Sequence, residues 1–381
     1  MLLAAYALLR GGVTTPSQRA SALIEPLRVE AAETDREGGY PASSMRLLRE
    51  CGLLAAPVPA SAGGESLGEP AEAHELLETL AQVGRGHLVV GRLYEGHVNA
   101  LLLIERHGSD TQRARWFADA VSGCLFGVWN TQAEGGVTMA AAGHGWRLTG
   151  AKTFASGCGH VERALVTAAR EDGGWQLTIV DTARQPPRED RSFWRPLGMR
   201  ASASFRADVT GTRLETTDLL GEPGDIYAEP MFSGGAVRFA AVQQGGIEAV
   251  FDETRRFLAA QGRSGDPYQR MRLGEMAMAV ESGRLWLHGA ARSMAAHAAT
   301  PDRQVAYAGL MRSAIEANAL RVLQLAERSV GARGLLRPEI FERLHRDLTH
   351  YLRQPAPDAV LADAGGHVLA AARDPAARLW H

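Results

Sequence analysis

Lysine is almost missing from this chain of 381 residues: Lys152 is the only one, and the remaining strongly basic side chains are all arginine. A composition that presses against lysine everywhere else makes the turn holding Lys152 worth a close reading. Cysteine is scarce as well. Cys51, Cys124 and Cys158 are too few and too widely spaced for a disulfide framework or a cysteine-based zinc site, which points to a reducing, cytoplasmic setting with three small buried hydrophobes, and no metal site is expected. No Lys/Arg block stands out and the formal net charge is -2, so the electrostatic footprint of a nucleic-acid or anionic-membrane partner is absent. Long apolar runs are lacking too. The opening MLLAAYALL is far shorter than the ~20 residues that span a bilayer and has no basic segment before it, so it is expected to be a docking or frayed segment.

What is present is an ordinary globular composition, 45% hydrophobic and 22% charged, enough for two or three domains of ~100–200 residues each. Helical patterns bounded by Gly, Pro or Ser fill the first third: SQRASALIEPLRVEAAETDREG, PASSMRLLRECGLLAA and EPAEAHELLETLAQVGRG. Short alternating runs such as GWRLTG, RALVTAA, GWQLTIVD and FRADVTGTRL then take over, separated by Gly, Asp and Pro, as antiparallel strands require. From Phe239 the helical period returns, with Ile247, Val250, Phe251, Thr254, Phe257 and Leu258 on one face. Further long patterns run through Leu273, Met276 and Val280 and through Leu310, Met311 and Ile315, which argues for a bundle. The expected fold is α+β multidomain: a helical N-terminal domain over 1–122, a central antiparallel β domain over 123–227 and a C-terminal four-helix bundle over 228–381.

This order, and several short segments within it, resembles the acyl-CoA dehydrogenase superfamily over nearly the whole chain. LFGVWNTQAEGGV, residues 125–137, sits where the family carries a Thr-Glu-Pro-Gly-Ala-Gly-Ser type strand and loop lining a flavin and an acyl thioester. LTGAKTFASG resembles the family's Gly-x-Lys-x-Trp-Ile-Thr-Asn-Gly turn, with Phe154 at the Trp position, Ser156 at the Thr position and Lys152 as a register mark. RPLGMRASASF is similar to the Leu-Gly-x-Arg-x-Ser stretch, and DLLGEPGDIY to the exit into the bundle. The resemblance implies FAD, an acyl thioester or other small-molecule substrate, and a homodimer or homotetramer that shares the flavin sites; it leaves the electron acceptor or flavin reductase unnamed. An isoalloxazine needs an apolar wall and short hydrogen-bonding groups at its polar edge. Phe154 is expected to supply the wall and Ser156 the hydroxyl, with Trp129, Asn130 and Thr131 on the opposite strand. Arg263 falls where the family reaches a flavin pyrophosphate, and RSVGARGLL resembles a Gly-rich turn with Gly331 and Gly334 kept and Ala332 in place of the second glycine.

One departure bears on the reaction. Family members that desaturate acyl-CoA carry a glutamate base shortly after an Arg-Asp pair, and counting from Arg346-Asp347 puts Pro355 there. The alternative position on the first bundle helix offers Ala236 and Val237, again without a carboxylate. Asp358 or Glu248 could swing in, though neither is favoured by spacing. The tail THYLRQPAPDAV also resembles the two-component flavin monooxygenase branch, whose His-x-x-His-Asp-Pro falls in register with His350, Arg353 and Pro355. There, reduced flavin from a separate reductase meets oxygen, and a histidine assists. Arg353 stays protonated, so it could only pair with an anion; His97 in LYEGHVNALL is a second candidate for the pocket. Three readings stay open: acyl thioester dehydrogenase, the first choice; flavin-dependent monooxygenase; and a non-catalytic scaffold.

Overall fold

The computed structural model describes residues 14–295 and 300–371. The apolar opening MLLAAYALL lies outside the described residues. Among the described residues six helices come first: α1 Pro16–Ala22, α2 Ile24–Glu37, α3 Ala42–Glu50, α4 Ala73–Gly86, α5 Leu88–His107 and α6 Asp110–Val121. Two of their starts are set by capping boxes, Thr15 with Gln18 and Ser109 with Gln112, in which each side chain satisfies the other's free backbone donor. Gln112 then also donates to the carbonyls of Thr217 (2.9 Å) and Leu219 (2.7 Å), fastening α6 to the last strand of the sheet.

Nine strands follow: β1 Phe126–Trp129, β2 Gln132–Ala142, β3 Gly145–Ala155, β4 Arg163–Arg170, β5 Trp175–Asp181, β6 Arg188–Asp190, β7 Phe205–Asp208, β8 Arg213–Leu214 and β9 Leu219–Leu220. They form one sheet in the order β6-β7-β3-β2-β4-β5-β9, with β1 on β4 and β8 on β3. Most pairings are antiparallel, as the alternating runs imply. The sheet is nonetheless mixed, because β1 and the middle of β2 both run parallel to β4, Trp129 opposite Val166 and Thr138 opposite Ala169. β1 and β2 are thus one line of chain broken at Asn130 and Thr131, and the β2–β3 hairpin lies between that line and β4 in sequence. Alternation within a strand cannot reveal this direction.

The bundle comprises α7 Met231–Ala260, α8 Pro267–Ala295, α9 Pro301–Gly334, α10 Ile340–Tyr351 and α11 Pro357–Ala371. The face read from the helical period is the buried one: Ile247, Val250, Thr254 and Leu258 on α7, Met276 and Val280 on α8, Met311 and Ile315 on α9. α7 packs closely on α4 because Gly245 carries no side chain; a Cβ there would sit 2.0 Å from the Ala81 carbonyl oxygen. One continuous apolar core joins the first helices, the sheet and the bundle. Of the three cysteines only Cys158 is buried, while Cys51 and Cys124 are half-buried. Among the described residues no helix is long and apolar enough to cross a membrane.

Candidate active site

The break between β1 and β2 is held open from beneath by the single lysine. Lys152 is fully buried, and its ammonium nitrogen donates to Thr167 Oγ1 (2.7 Å) and to the Asn130 carbonyl (3.3 Å). Thr167 Oγ1 in turn donates to Asn130 Oδ1 (2.9 Å), and the Tyr227 hydroxyl reaches that same oxygen at 3.1 Å. No carboxylate partners the lysine, so burial alone pulls its pKa from 10.5 to about 7. Beyond marking the register of the turn, Lys152 is the strut under Trp129, Asn130 and Thr131. Its being the lone lysine was the available signal.

Trp129 is buried, with its indole N–H donating to the Ser156 carbonyl (3.0 Å), so the two halves of the expected site touch. Trp129 is therefore a brace between β1 and the turn after β3, and its ring is packed in the core. Thr131 is exposed, and its carbonyl accepts from the Thr153 N–H at 3.0 Å. Phe154 has φ +52° at an irregularity in the β3–β7 pairing and leaves half of its ring exposed. A left-handed backbone at an aromatic residue is strained and persists where the surroundings hold it. Here Phe193 (5.3 Å) and Trp194 (6.0 Å) meet the ring at right angles. Ser156 is half-buried, and its hydroxyl lies 2.9 Å from that of Ser204, which is 2.7 Å from the hydroxyl of Ser202. An exposed apolar ring beside a short run of hydroxyls is the surface that a flat heteroaromatic with a polar edge would cover, so these residues fit a flavin.

His350 closes the wall, its ring perpendicular to Trp194 at 5.5 Å. α10 is docked there by the Arg346-Asp347 pair. Arg346 binds the Asp35 carboxylate through both terminal nitrogens (3.1 and 2.7 Å) and donates to the Leu197 carbonyl (3.2 Å), while buried Asp347 accepts from the Met199 N–H at 2.6 Å. His350 is half-buried, which lowers its pKa below 6.5 and keeps it neutral near pH 7. Neither ring nitrogen has a hydrogen-bond partner among the described residues. A neutral imidazole with both nitrogens available can accept or donate one proton.

Other candidates stand elsewhere. His97 is fully buried, accepting from the Phe126 N–H at Nδ1 (3.0 Å) with Nε2 on the Leu54 carbonyl (2.8 Å). Both nitrogens are occupied by backbone and burial lowers its pKa to about 4, so it is a structural link between α5 and β1, correcting the expectation of a pocket histidine. Arg353 is exposed and pairs with Glu316 at 2.6 Å. Glu248 is buried between Arg284 (2.8 Å) and Arg85 (3.5 Å), and Asp358 is exposed on α11; neither is placed as a base beside Phe154 and His350. Pro355 is exposed, its carbonyl accepting from Arg312 at 2.5 Å. Arg263 and the Gly331 turn do come together, through a bond from Arg263 to the Ser329 carbonyl (3.3 Å) next to the break in α9 at Gly331. Arg263 also pairs with Asp266 at 3.2 Å, and Gly334 is the buried last residue of α9. Among the described residues no group of three or more His, Cys, Asp or Glu side chains is placed to hold a metal.

Known proteins share this fold. Residues 19–124 match the model of the acyl-CoA dehydrogenase N-terminal domain, and residues 224–351 that of the acyl-CoA dehydrogenase C-terminal domain. The chain is 26% identical to a probable FMNH2-dependent monooxygenase, SfnC, of Pseudomonas putida over 90% of this chain and 93% of that one. It is 26% identical to the mitochondrial short-chain specific acyl-CoA dehydrogenase of Bos taurus over 67% of this chain and 66% of that one. Its fold is similar to that of FMN-bound TdsC from Paenibacillus sp. A11-2, with a TM-score of 0.85, 20% identity, and coverage of 93% of this chain and 97% of that one. With the two domain models at either end of a chain of this architecture, the protein belongs to the acyl-CoA dehydrogenase superfamily, whose members are flavin-dependent oxidoreductases and monooxygenases.

Proposed function

We propose that this protein is a flavin-dependent monooxygenase in which a small-molecule substrate is oxygenated at the expense of reduced flavin and dioxygen. The observation that carries the reading is His350: a neutral imidazole with both nitrogens unbonded stands against the aromatic wall, while positions 236, 237 and 355 hold Ala, Val and Pro. Proton abstraction from an acyl thioester needs a base of suitable pKa within reach, and no carboxylate occupies those three positions. The near full-length likeness to SfnC supports the same choice.

Phe154 and the hydroxyls of Ser156 and Ser204 would hold the ring system, with Asn130 and Thr131 across from them. Bound reduced flavin supplies two electrons to dioxygen, so that one oxygen atom goes to the substrate and the other leaves as water. The chain itself contributes the wall and an imidazole that holds or passes a proton beside it. Flavin mononucleotide delivered by a separate reductase is the form we favour. The FAD reading relies on Arg263 for the pyrophosphate, and that guanidinium is already engaged by Asp266 and the Ser329 carbonyl. A homo-oligomer fits α8, where Met271, Met278 and Leu285 recur at seven-residue spacing and are 57%, 74% and 63% exposed.

The acyl thioester dehydrogenase reading is second, supported by the bovine relative. One comparison separates the two. The purified protein, given enzymatically reduced FMN under air with thioethers, indoles and short sulfinates, is expected to form an oxygenated product that incorporates labelled dioxygen. Anaerobic bleaching of bound flavin by an acyl-CoA, with no labelled product, would overturn the proposal.

A further inference from the structure

Within reach of Tyr351, the residue after His350, lies a buried charged cluster that the flavin site does not use. Arg238, two turns into α7, is 4% exposed; its Nε donates to Asn99 Oδ1 on α5. Among the described residues its two terminal nitrogens donate to nothing, yet they are not sealed from solvent. Glu95 is the carboxylate whose field reaches Arg238, and it is already shared by Arg92 Nη1 and Asn99 Nδ2. Two guanidiniums against one carboxylate leave a positive charge over. Burial accordingly pulls Arg238 from 12.5 down to about 10, with Glu95 pulling the other way.

Residues without side chains flank that charge on one side. Gly234 and Gly235 lie one turn earlier on α7, and a Cβ at Gly234 would come within 3.2 Å of Arg238 Nη1. The Tyr351 hydroxyl, next to His350 on α10, is buried without a hydrogen-bond partner and feels both Glu95 and Arg92. α7 itself begins at the rim of the site, where Phe232 meets Tyr227 (5.4 Å), whose hydroxyl holds Asn130. Arg238 is six residues, roughly 9 Å of helix rise, beyond that rim. A planar fork of donors in a low-dielectric setting, short of one negative charge, suits a compact delocalised oxyanion.

We infer that Arg238, positioned by Asn99, receives the anionic end of the substrate, so that the substrate is a small molecule bearing a carboxylate, sulfinate or sulfonate group. This rests on the oxygenation site proposed above for its purpose, but its binding test does not need turnover. The full-length protein, with and without FMN, is titrated calorimetrically with methanesulfinate and acetate and with their neutral counterparts dimethyl sulfoxide and acetamide. The anions are expected to bind at least tenfold more tightly. Arg238→Met should weaken anion binding at least tenfold while leaving FMN affinity within twofold, and Arg238→Lys should recover part of the loss. Equal binding of neutral and anionic probes, or unchanged anion binding in Arg238→Met, overturns the assignment. If that variant does not fold, Gly234→Ala takes its place: it keeps the charge but crowds Nη1, and an anion affinity unchanged from the parent's overturns the inference. Failure of FMN to bind the parent protein would count against the flavin reading alone, since the anion titration is read independently.

Discussion

Two titratable side chains, Lys152 beneath the β1–β2 break and His350 at the aromatic wall, are both shifted by burial. Lys152 has a folded-state pKa of about 7 against an ordinary 10.5. Below about pH 7 both folded and unfolded chains carry its proton, and folding bears the full cost of burying an ammonium. Between about 7 and 10.5 only the unfolded chain holds the proton, so this residue's contribution to stability rises with pH, by about 1.4 kcal/mol per unit at most. Replacing it as Lys152→Met should flatten that rise, seen as a melting temperature that gains less than the parent's between pH 7 and 9. Equal slopes for both proteins would exclude a titrating buried lysine. His350 is shifted the same way, so a reaction that needs its neutral form should fall on the acid side, with the midpoint of that fall below the ordinary histidine pKa of 6.5. His350→Gln should lower turnover at least tenfold and remove the acid limb, with FMN affinity held; a retained acid limb would assign it to another group.

At the scale of elements, β3 and α10 carry the site because each is pinned by something other than propensity. The left-handed Phe154 sits where the β3–β7 ladder loses register, and its half-exposed ring contributes little to the core. Glycine at this position would relieve backbone strain of ~1 kcal/mol or more while adding a similar entropic cost. Phe154→Gly should therefore leave thermal stability within about 1 kcal/mol of the parent, yet lose roughly fivefold or more in flavin affinity with the ring gone. A large drop in stability with unchanged flavin binding would place the ring in the core and not in the wall. α10 is held by Arg346 and Asp347 on the 197–200 loop, which is why an Arg-Asp pair that resembles a catalytic landmark acts here as a clamp bringing His350 to Trp194.

For the whole molecule, the exposed stripe of Met271, Met278 and Leu285 is the largest-scale expectation. Met278→Asp places a charge in the middle of it. Light scattering after gel filtration should show the parent as a dimer or tetramer and this variant shifted to smaller species at the same concentration; a monomeric parent would remove α8 as an interface. The tryptophan fluorescence of the variant should remain that of the folded chain, since the stripe faces outward.

The helix–sheet–bundle order was legible in the sequence because it rests on local periodicities: alternating residues before and after Gly and Pro, and a 3.6-residue period along α7 to α9, whose apolar faces proved to be the buried ones. Trp129, Phe154 and Ser156 could be placed together by motif, as could Arg263 and Gly331. Sequence could not show that β1 and β2 run parallel to β4, since strand direction depends on a crossover between residues far apart in the chain. Nor could it separate His97 from His350: both lie on helices, and only packing decides that backbone occupies one ring while the other is left with free nitrogens. The charge of Arg238 was equally plain in the sequence, and its meaning was not. An arginine becomes informative when folding buries it with fewer carboxylates than cations around it, and that balance is set by α5, α7 and α10 meeting in space.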